Sequence, residues 1–130
     1  MKNREQQILM QHRLDQARAS LEEANILFAH GKTTIGAVNR AYYAMFYAVI
    51  ALLQQVGKIP RKHSGAIGLF DSEFVKKGLF PKELSHHLHR AFESRQISDY
   101  HAVEPISRED TQEILRNAKG FVQAIDKYLK

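Results

Sequence analysis

An arginine and a histidine lie six positions apart where the pattern of a predicted helix is about to end. Arg95 falls one turn after Ala91, so it continues the apolar stripe of that helix, and Asp99 follows one turn later. An arginine on an apolar stripe needs a partner, because an unpaired buried charge is costly. One interpretation is a salt bridge between Arg95 and Asp99 at the helix end. The other is a phosphate-binding guanidinium that the carboxylate holds in position.

His101 is the residue of this segment that can transfer a proton near neutral pH. On a regular helix, the step from Arg95 to His101 corresponds to about 240° of rotation and about 9 Å of rise. The two side chains would then diverge. For both to serve one site, the helix must end between them, or a second subunit must supply one of them. The alternative is that His101 has no catalytic role.

An aromatic block on the second predicted helix offers a second candidate surface. Tyr42 and Phe46 form one four-residue pair, Tyr43 and Tyr47 form another, and Arg40 lies about one turn before Tyr43. Such a group can stack a base and hold a phosphate. It can equally be core packing in which each phenol makes one hydrogen bond. We expect core packing, with Arg40 near one end of the fold.

The densest basic patch is the loop 58–64, which contains Arg61 and Lys62 and leads into a predicted helix. Backbone amides and the helix dipole at such a position favour a phosphate. The alternative is an ordinary solvated loop.

The histidines of the run 86–89 invite a metal interpretation, which the spacing does not favour. Glu83 and His86 match one half of a di-iron carboxylate site, but the second Glu-x-x-His pair that such a site needs is absent from the sequence. Leu84 and Leu88 define the buried face of this helix, which leaves most of the histidines toward solvent. We therefore expect no metal site and no cofactor.

Composition favours a folded cytoplasmic protein. The formal charge is +5 and the isoelectric point is about 9.6, which tilts the choice of partner toward nucleic acid or another polyanion. There are no cysteines, so disulfides and thiolate chemistry are excluded. The first seven residues have no apolar segment typical of a secretory signal. The apolar run from Ala41 to Leu53 is shorter than the roughly 20 residues of a membrane span, so we expect no membrane association.

Every segment between turn residues has helical period, and no segment alternates as a strand would. Glycines and prolines separate five predicted helices: Arg4 to His30, Thr34 to Val56, a short one with Ser64 as N-cap that carries Ile67, Phe70 and Phe74, one from near Pro81, and one that opens at Ser107. Four long helices with short connections predict an all-α, up-and-down antiparallel four-helix bundle with one additional short helix. We expect residues 1–130 to form a single domain.

Several blocks occur in an order that resembles the HEPN family of small helical proteins, which are found beside minimal nucleotidyltransferases and in toxin–antitoxin systems. They are 39–47 (NRAYYAMFY), Gly57, His63, 74–78 (FVKKG) and 95–101 (RQISDYH). The resemblance covers about residues 10 to 128. It implies the bundle fold, a homodimer and, in many members, metal-independent RNA cleavage by an arginine and a histidine separated by four to six residues.

Transferred to this chain, the resemblance makes Arg95 and His101 the catalytic candidates, with Asp99 and Tyr100 in supporting roles. In active members an Asn, Asp or His often follows the arginine, whereas this chain has Gln96.

The residues that we assign to nucleotide or phosphate binding are Arg40, Tyr43, Arg61 and Lys62. Two functions are open: a metal-independent endoribonuclease of toxin type, and a non-catalytic nucleotide-binding or substrate-binding subunit that partners a nucleotidyltransferase. A third possibility is a helical bundle whose role is purely structural or is to bind another protein.

Overall fold

A computed structural model describes residues 4–31, 33–100 and 106–130, except for the side chains of residues 98–100. Within these ranges the secondary structure is entirely helical. The elements in chain order are α1 (Arg4–His30), α2 (Ile35–Gln55), α3 (His63–Phe70), a π-helical segment (Asp71–Val75), α4 (Lys82–Tyr100) and α5 (Arg108–Leu129).

The four long helices form an antiparallel bundle, which confirms the predicted fold class. Helix α2 is its centre, because it packs against all four other α-helices. Its apolar run is buried almost all round, from Ala37 and Val38 to Leu52 and Leu53. By length and composition α2 alone among the described helices could cross a membrane, but more than half of its most apolar stretch is buried against its neighbours. That is the pattern of a core helix.

The outer helices each turn one apolar stripe toward α2. On α1 the stripe contains Leu14, Ala17 and Ala24, and on α5 it contains Ile114, Ala118, Phe121 and Ile125. On α4 it consists of Leu88 and Ala91, both buried, between the half-buried Leu84 and Phe92. The three- and four-residue spacing of these stripes therefore predicted the buried faces correctly.

The helix ends agree with the predicted stop and cap residues, with one exception. Gly57 and Gly78 have φ of +71° and +79°, as glycines that stop a helix do. Ser107 caps α5, since its hydroxyl accepts a hydrogen bond from the Asp110 amide. The prediction that Ser64 caps α3 is wrong. The helix begins one residue earlier, at His63, after an extended Lys62 whose side chain makes no capping hydrogen bond.

The short helix also changes its winding before it ends, which the sequence pattern did not predict. After Phe70 the chain forms a π-helical segment, Asp71–Val75, and Phe74 in it packs against Phe70 with ring centroids 6.3 Å apart. Phe80 and Phe121 complete this aromatic layer. The layer holds α3 against α5 and so fixes where His63, at the start of α3, meets α2.

Candidate functional site

Tyr42 and His63 form the centre of the candidate site. The Tyr42 side chain is fully buried, and its hydroxyl oxygen lies 2.7 Å from Nδ1 of His63. Burial raises the pKa of Tyr42 far above its ordinary value, although the nearby Arg95 charge opposes this shift. The phenol therefore keeps its proton. It can donate that proton to an unprotonated Nδ1, which leaves the imidazole proton of His63 on Nε2.

The His63 ring is enclosed by aromatic side chains. It stacks on Phe46 with centroids 4.2 Å apart and an interplanar angle of 9°, and it meets the Tyr43 ring edge-on at 5.6 Å. Burial, and after it the Arg95 charge, lowers the pKa of His63 below the ordinary 6.5. His63 is accordingly neutral at pH 7, and its place in the site does not depend on a positive charge.

Arg95 lies against the same two tyrosines. Its guanidinium carbon is 5.6 Å from the Tyr42 ring centroid and 5.5 Å from that of Tyr43. The side chain is half-buried, on the turn of α4 that follows the buried Ala91. The prediction that this arginine continues the apolar stripe is thus correct, and its guanidinium lies within cation–π distance of two aromatic rings.

Arg40 approaches Tyr43 from within α2. Its guanidinium carbon is 4.9 Å from the Tyr43 centroid, its side chain donates two hydrogen bonds to Asn39, and one nitrogen lies 3.5 Å from the Glu23 carboxylate. The Glu23 contact neutralises part of the Arg40 charge. We call Arg40, Tyr42, Tyr43, His63 and Arg95 the Arg95 cluster. It places two guanidinium groups on one half-buried aromatic ring, beside a neutral imidazole.

The structure brings together three of the predicted site residues, Arg40, Tyr43 and Arg95. Arg61 and Lys62 are exposed in the two positions before His63 and are not members of the cluster. His101 and the side chains of Asp99 and Tyr100 lie outside the described residues, so the predicted Arg95–Asp99 pair does too. The α4 backbone is helical through Tyr100.

His63 and Tyr42 are the functional candidates that sequence reasoning did not select. Tyr42 is expected in the core, where it indeed lies, and His63 enters only as a residue of the basic loop and of the blocks that carry the family resemblance. They are 21 positions apart, on different helices, so no spacing rule relates them. The available signals were a phenol in an apolar run, which needs one partner, and a histidine that opens a helix.

One histidine of α4, His89, makes a contact outside the Arg95 cluster. His89 Nε2 lies 2.7 Å from the Asp71 carboxylate, and the Ser85 hydroxyl donates to the other oxygen of Asp71 at 2.6 Å. This network ties the π-helical segment to α4. No group of three possible metal ligands occurs among the residues that the structure describes.

Each guanidinium group of the Arg95 cluster can pair with an anion, and the Tyr43 ring that both contact can stack a planar group. Arginine with aromatic neighbours suits phosphate and nucleobases together, because the guanidinium pairs with phosphate and the ring with a base. The neutral imidazole of His63 adds a ring N–H that can donate a hydrogen bond.

Comparison with known proteins identifies the family of the chain. The HEPN domain family profile matches residues 10–128. A "UPF0332 protein" of Thermotoga maritima is 40% identical over 114 residues, which cover 88% of this chain and 86% of the relative. The "Putative toxin MJ0142" of Methanocaldococcus jannaschii is 35% identical over 116 residues, 89% of this chain and 78% of the relative. A "UPF0332 protein glr0978" of Gloeobacter violaceus is 33% identical over 126 residues, 96% of each. With one profile spanning nearly all of the bundle, and with relatives matched over most of their own length, the chain belongs to the HEPN domain family.

Proposed function

We propose that this chain is a cytoplasmic RNA-cleaving enzyme that needs no metal ion, with Arg95 and His101 as its catalytic residues. The observation that carries the proposal is the position of Arg95, whose guanidinium rests on Tyr42 and Tyr43 next to a second guanidinium, that of Arg40. Two cations on one aromatic surface fit a backbone phosphate and the base beside it. The toxin names of two relatives agree with such an activity.

The reaction is an attack of a ribose 2′-hydroxyl on the adjacent phosphorus. A bond forms from the 2′-oxygen to phosphorus, the bond from phosphorus to the 5′-oxygen breaks, and the products are a 2′,3′-cyclic phosphate and a 5′-hydroxyl. In this proposal His101 takes the 2′-hydroxyl proton or supplies the proton to the leaving oxygen. Arg95 stabilises the negative charge that grows on the phosphorane oxygens.

A homodimer belongs to the same proposal. Helix α4 is helical through Tyr100. On a regular helix a step of six residues turns by about 240°, so in this proposal a second copy supplies one of the two catalytic side chains to the site. Ile97, two positions after Arg95, is about half exposed and offers an apolar contact next to the cluster. Light scattering should give a dimer mass for the wild type and a monomer mass for Ile97→Asp.

The decisive test is RNA cleavage by the purified full chain in EDTA. We expect cleavage that Arg95→Ala and His101→Ala abolish, while exposed residues of the same types, tested as Arg116→Ala and His12→Ala, leave it unchanged. Expression should arrest growth, and either catalytic substitution should relieve the arrest. Cleavage that persists in both catalytic variants would come from a contaminating nuclease and would end the proposal.

A second candidate is a non-catalytic nucleotide-binding subunit of a nucleotidyltransferase. The observation that favours it is the pairing of Arg40 and Arg95 on Tyr43, which binds a phosphate and a base without any proton transfer. This function predicts nucleotide binding by calorimetry, co-purification with a nucleotidyltransferase, and no cleavage of RNA in EDTA. Loss of binding in Arg40→Ala with intact RNA cleavage would contradict it.

A further inference from the structure

A groove begins beside Phe46, whose ring stacks on His63, and extends toward the end of α2. It lies between the N-terminal half of α1, the second half of α2 and the loop that follows α2, and its volume is about 420 Å³. That size falls within the range of small-molecule sites, about 300–1,000 Å³. The aromatic side chains of Phe46 and Tyr47 line it, and Ile50 continues this apolar wall one turn later.

The polar residues of the groove suit a nucleotide better than an apolar ligand. Gln54 lines it and carries an amide that can both donate and accept, as recognition of a base edge requires. Two cations, Arg13 and Lys58, complete the lining. Arg13 donates to the neutral Gln16 side chain at 2.7 Å, a contact that leaves its charge in place. Lys58 lies 3.8 Å from the Glu73 carboxylate.

One aromatic side chain connects the groove to the Arg95 cluster. Phe46 lines the groove, and its ring also stacks on His63 at 4.2 Å. This stacking contact places the groove next to the Arg95 cluster. The loop residue Ile59, which is 87% accessible, lines the same groove.

We propose that this groove is a nucleobase-binding subsite, which holds a base of single-stranded RNA next to the phosphate bound at Arg95. The proposal rests on the proposed function and adds a substrate class, single strands with an unpaired base beside the reacting phosphate. Tyr47 or Phe46 stacks the base, Gln54 contacts its edge, and Arg13 neutralises the next phosphate.

The test measures binding of ligands that cannot be cleaved. Fluorescein-labelled 2′-O-methyl hexauridylate and hexaadenylate lack the attacking hydroxyl, and an abasic hexamer carries the same number of phosphates without bases. We expect fluorescence anisotropy to give affinities at least about tenfold higher for the base-containing hexamers, since base stacking on aromatic rings is sequence-tolerant and strong.

The variant Tyr47→Leu/Gln54→Ala should reduce that difference at least fivefold, with abasic binding unchanged. The matched control Tyr128→Leu/Gln112→Ala, on α5, should keep it. Circular dichroism and thermal melting establish that each variant is folded, and Gln54→Ala alone replaces the double variant if it is not. A 4-thiouridine next to the reacting position should crosslink to Phe46 or Tyr47.

Four results would overturn the subsite. One is equal affinity for base-containing and abasic hexamers, and another is a groove variant that behaves as its control. Either result leaves the proposed function standing if Arg95→Ala still abolishes cleavage. A groove variant that changes the oligomeric mass identifies a second copy as the occupant. Absence of both cleavage and binding in the wild type removes the subsite and the proposed function together.

Discussion

The hydroxyl of Tyr42 and Nδ1 of His63, 2.7 Å apart, join the central helix to the start of α3. The contact satisfies the one polar atom of a fully buried phenol and fixes the plane of the imidazole, which then stacks on Phe46. Tyr42 also lies under the Arg95 guanidinium. The buried phenol thus contacts two ionisable groups of the site, His63 and Arg95, and it needs no charge of its own to do so.

Removal of the Tyr42 hydroxyl should cost about 1 kcal/mol of unfolding free energy, the typical contribution of one internal hydrogen bond. Tyr42→Phe keeps the ring and its packing, so the loss isolates the contact with His63. Urea unfolding at pH 7 measures it. The control Tyr128→Phe changes a phenol that is 42% exposed and should stay within about 0.5 kcal/mol of the wild type. Equal values for the two variants would mean that the hydrogen bond contributes nothing.

His63 should make the fold less stable at acidic pH. Its pKa is lowered in the folded state, first by burial and then by the Arg95 charge, so below about pH 6.5 the unfolded chain binds more protons than the folded chain. The free energy of unfolding therefore falls as the pH falls through this window. Urea unfolding at pH 7.5 and 5.5 should give a smaller loss in His63→Gln than in the wild type. The exposed His12→Gln should lose as much as the wild type.

Arg95 should influence the titration of His63 directly. The charge of the guanidinium is the second cause of the lowered pKa, so Arg95→Gln should raise the pKa of His63, while burial should still hold it below the ordinary value. NMR titration of the imidazole measures the shift. Arg116→Gln, a change of the same type on α5, should leave the titration unchanged. A pKa that does not move in Arg95→Gln would contradict the electrostatic contact.

The fold was predictable because helical period, stop signals and caps are local properties of the chain. Ser107 provides an example, since its hydroxyl and the Asp110 amide are three residues apart. The start of α3 was not predictable in this way. Ser64 has the better capping side chain, but His63 is held by Tyr42 and Phe46, and these tertiary contacts set the first residue of the helix.

The candidate site was predictable only in part, for the same reason. The position of Arg95 on an apolar stripe follows from helical period, and its partners do not. Tyr42 and Tyr43 lie more than 50 positions earlier in the sequence, and Arg40 reaches the same ring from its own helix. The π-helical segment likewise depends on tertiary contacts, because packing of the aromatic layer around Phe74 sets its winding.

RNA binding should depend on salt through Arg40 and Arg95. Each phosphate contact contributes about 0.7 to the slope of log affinity against log salt for single strands. Arg40→Ala and Arg95→Ala should each reduce the slope for a non-cleavable 2′-O-methyl RNA by about that amount, and the exposed Arg116→Ala should leave it unchanged. Anisotropy titrations between 50 and 300 mM salt, a range of about sixfold, resolve the change. Slopes identical in all four proteins would place the bound phosphates elsewhere.

Two glycines should respond in opposite directions to the same substitution. Gly78 follows the π-helical segment with φ of +79°, a conformation that costs a residue with a Cβ about 1 kcal/mol or more, so Gly78→Ala should lower the free energy of unfolding. Gly120 lies inside α5, and an added Cβ would meet nothing within 4 Å. Gly120→Ala should therefore raise the free energy by about 0.5–1 kcal/mol, the helix preference for alanine.

Thermal and urea unfolding of the two variants test the backbone conformation of the turn that precedes α4. Because both changes add one methyl group in open surroundings, packing cannot explain a difference in sign between them. The difference must then come from the backbone, and in particular from the left-handed Gly78 in the turn between the π-helical segment and α4. If Gly78→Ala is as stable as the wild type, the turn accepts an ordinary backbone conformation, and the direction in which α4 leaves it is not set by Gly78.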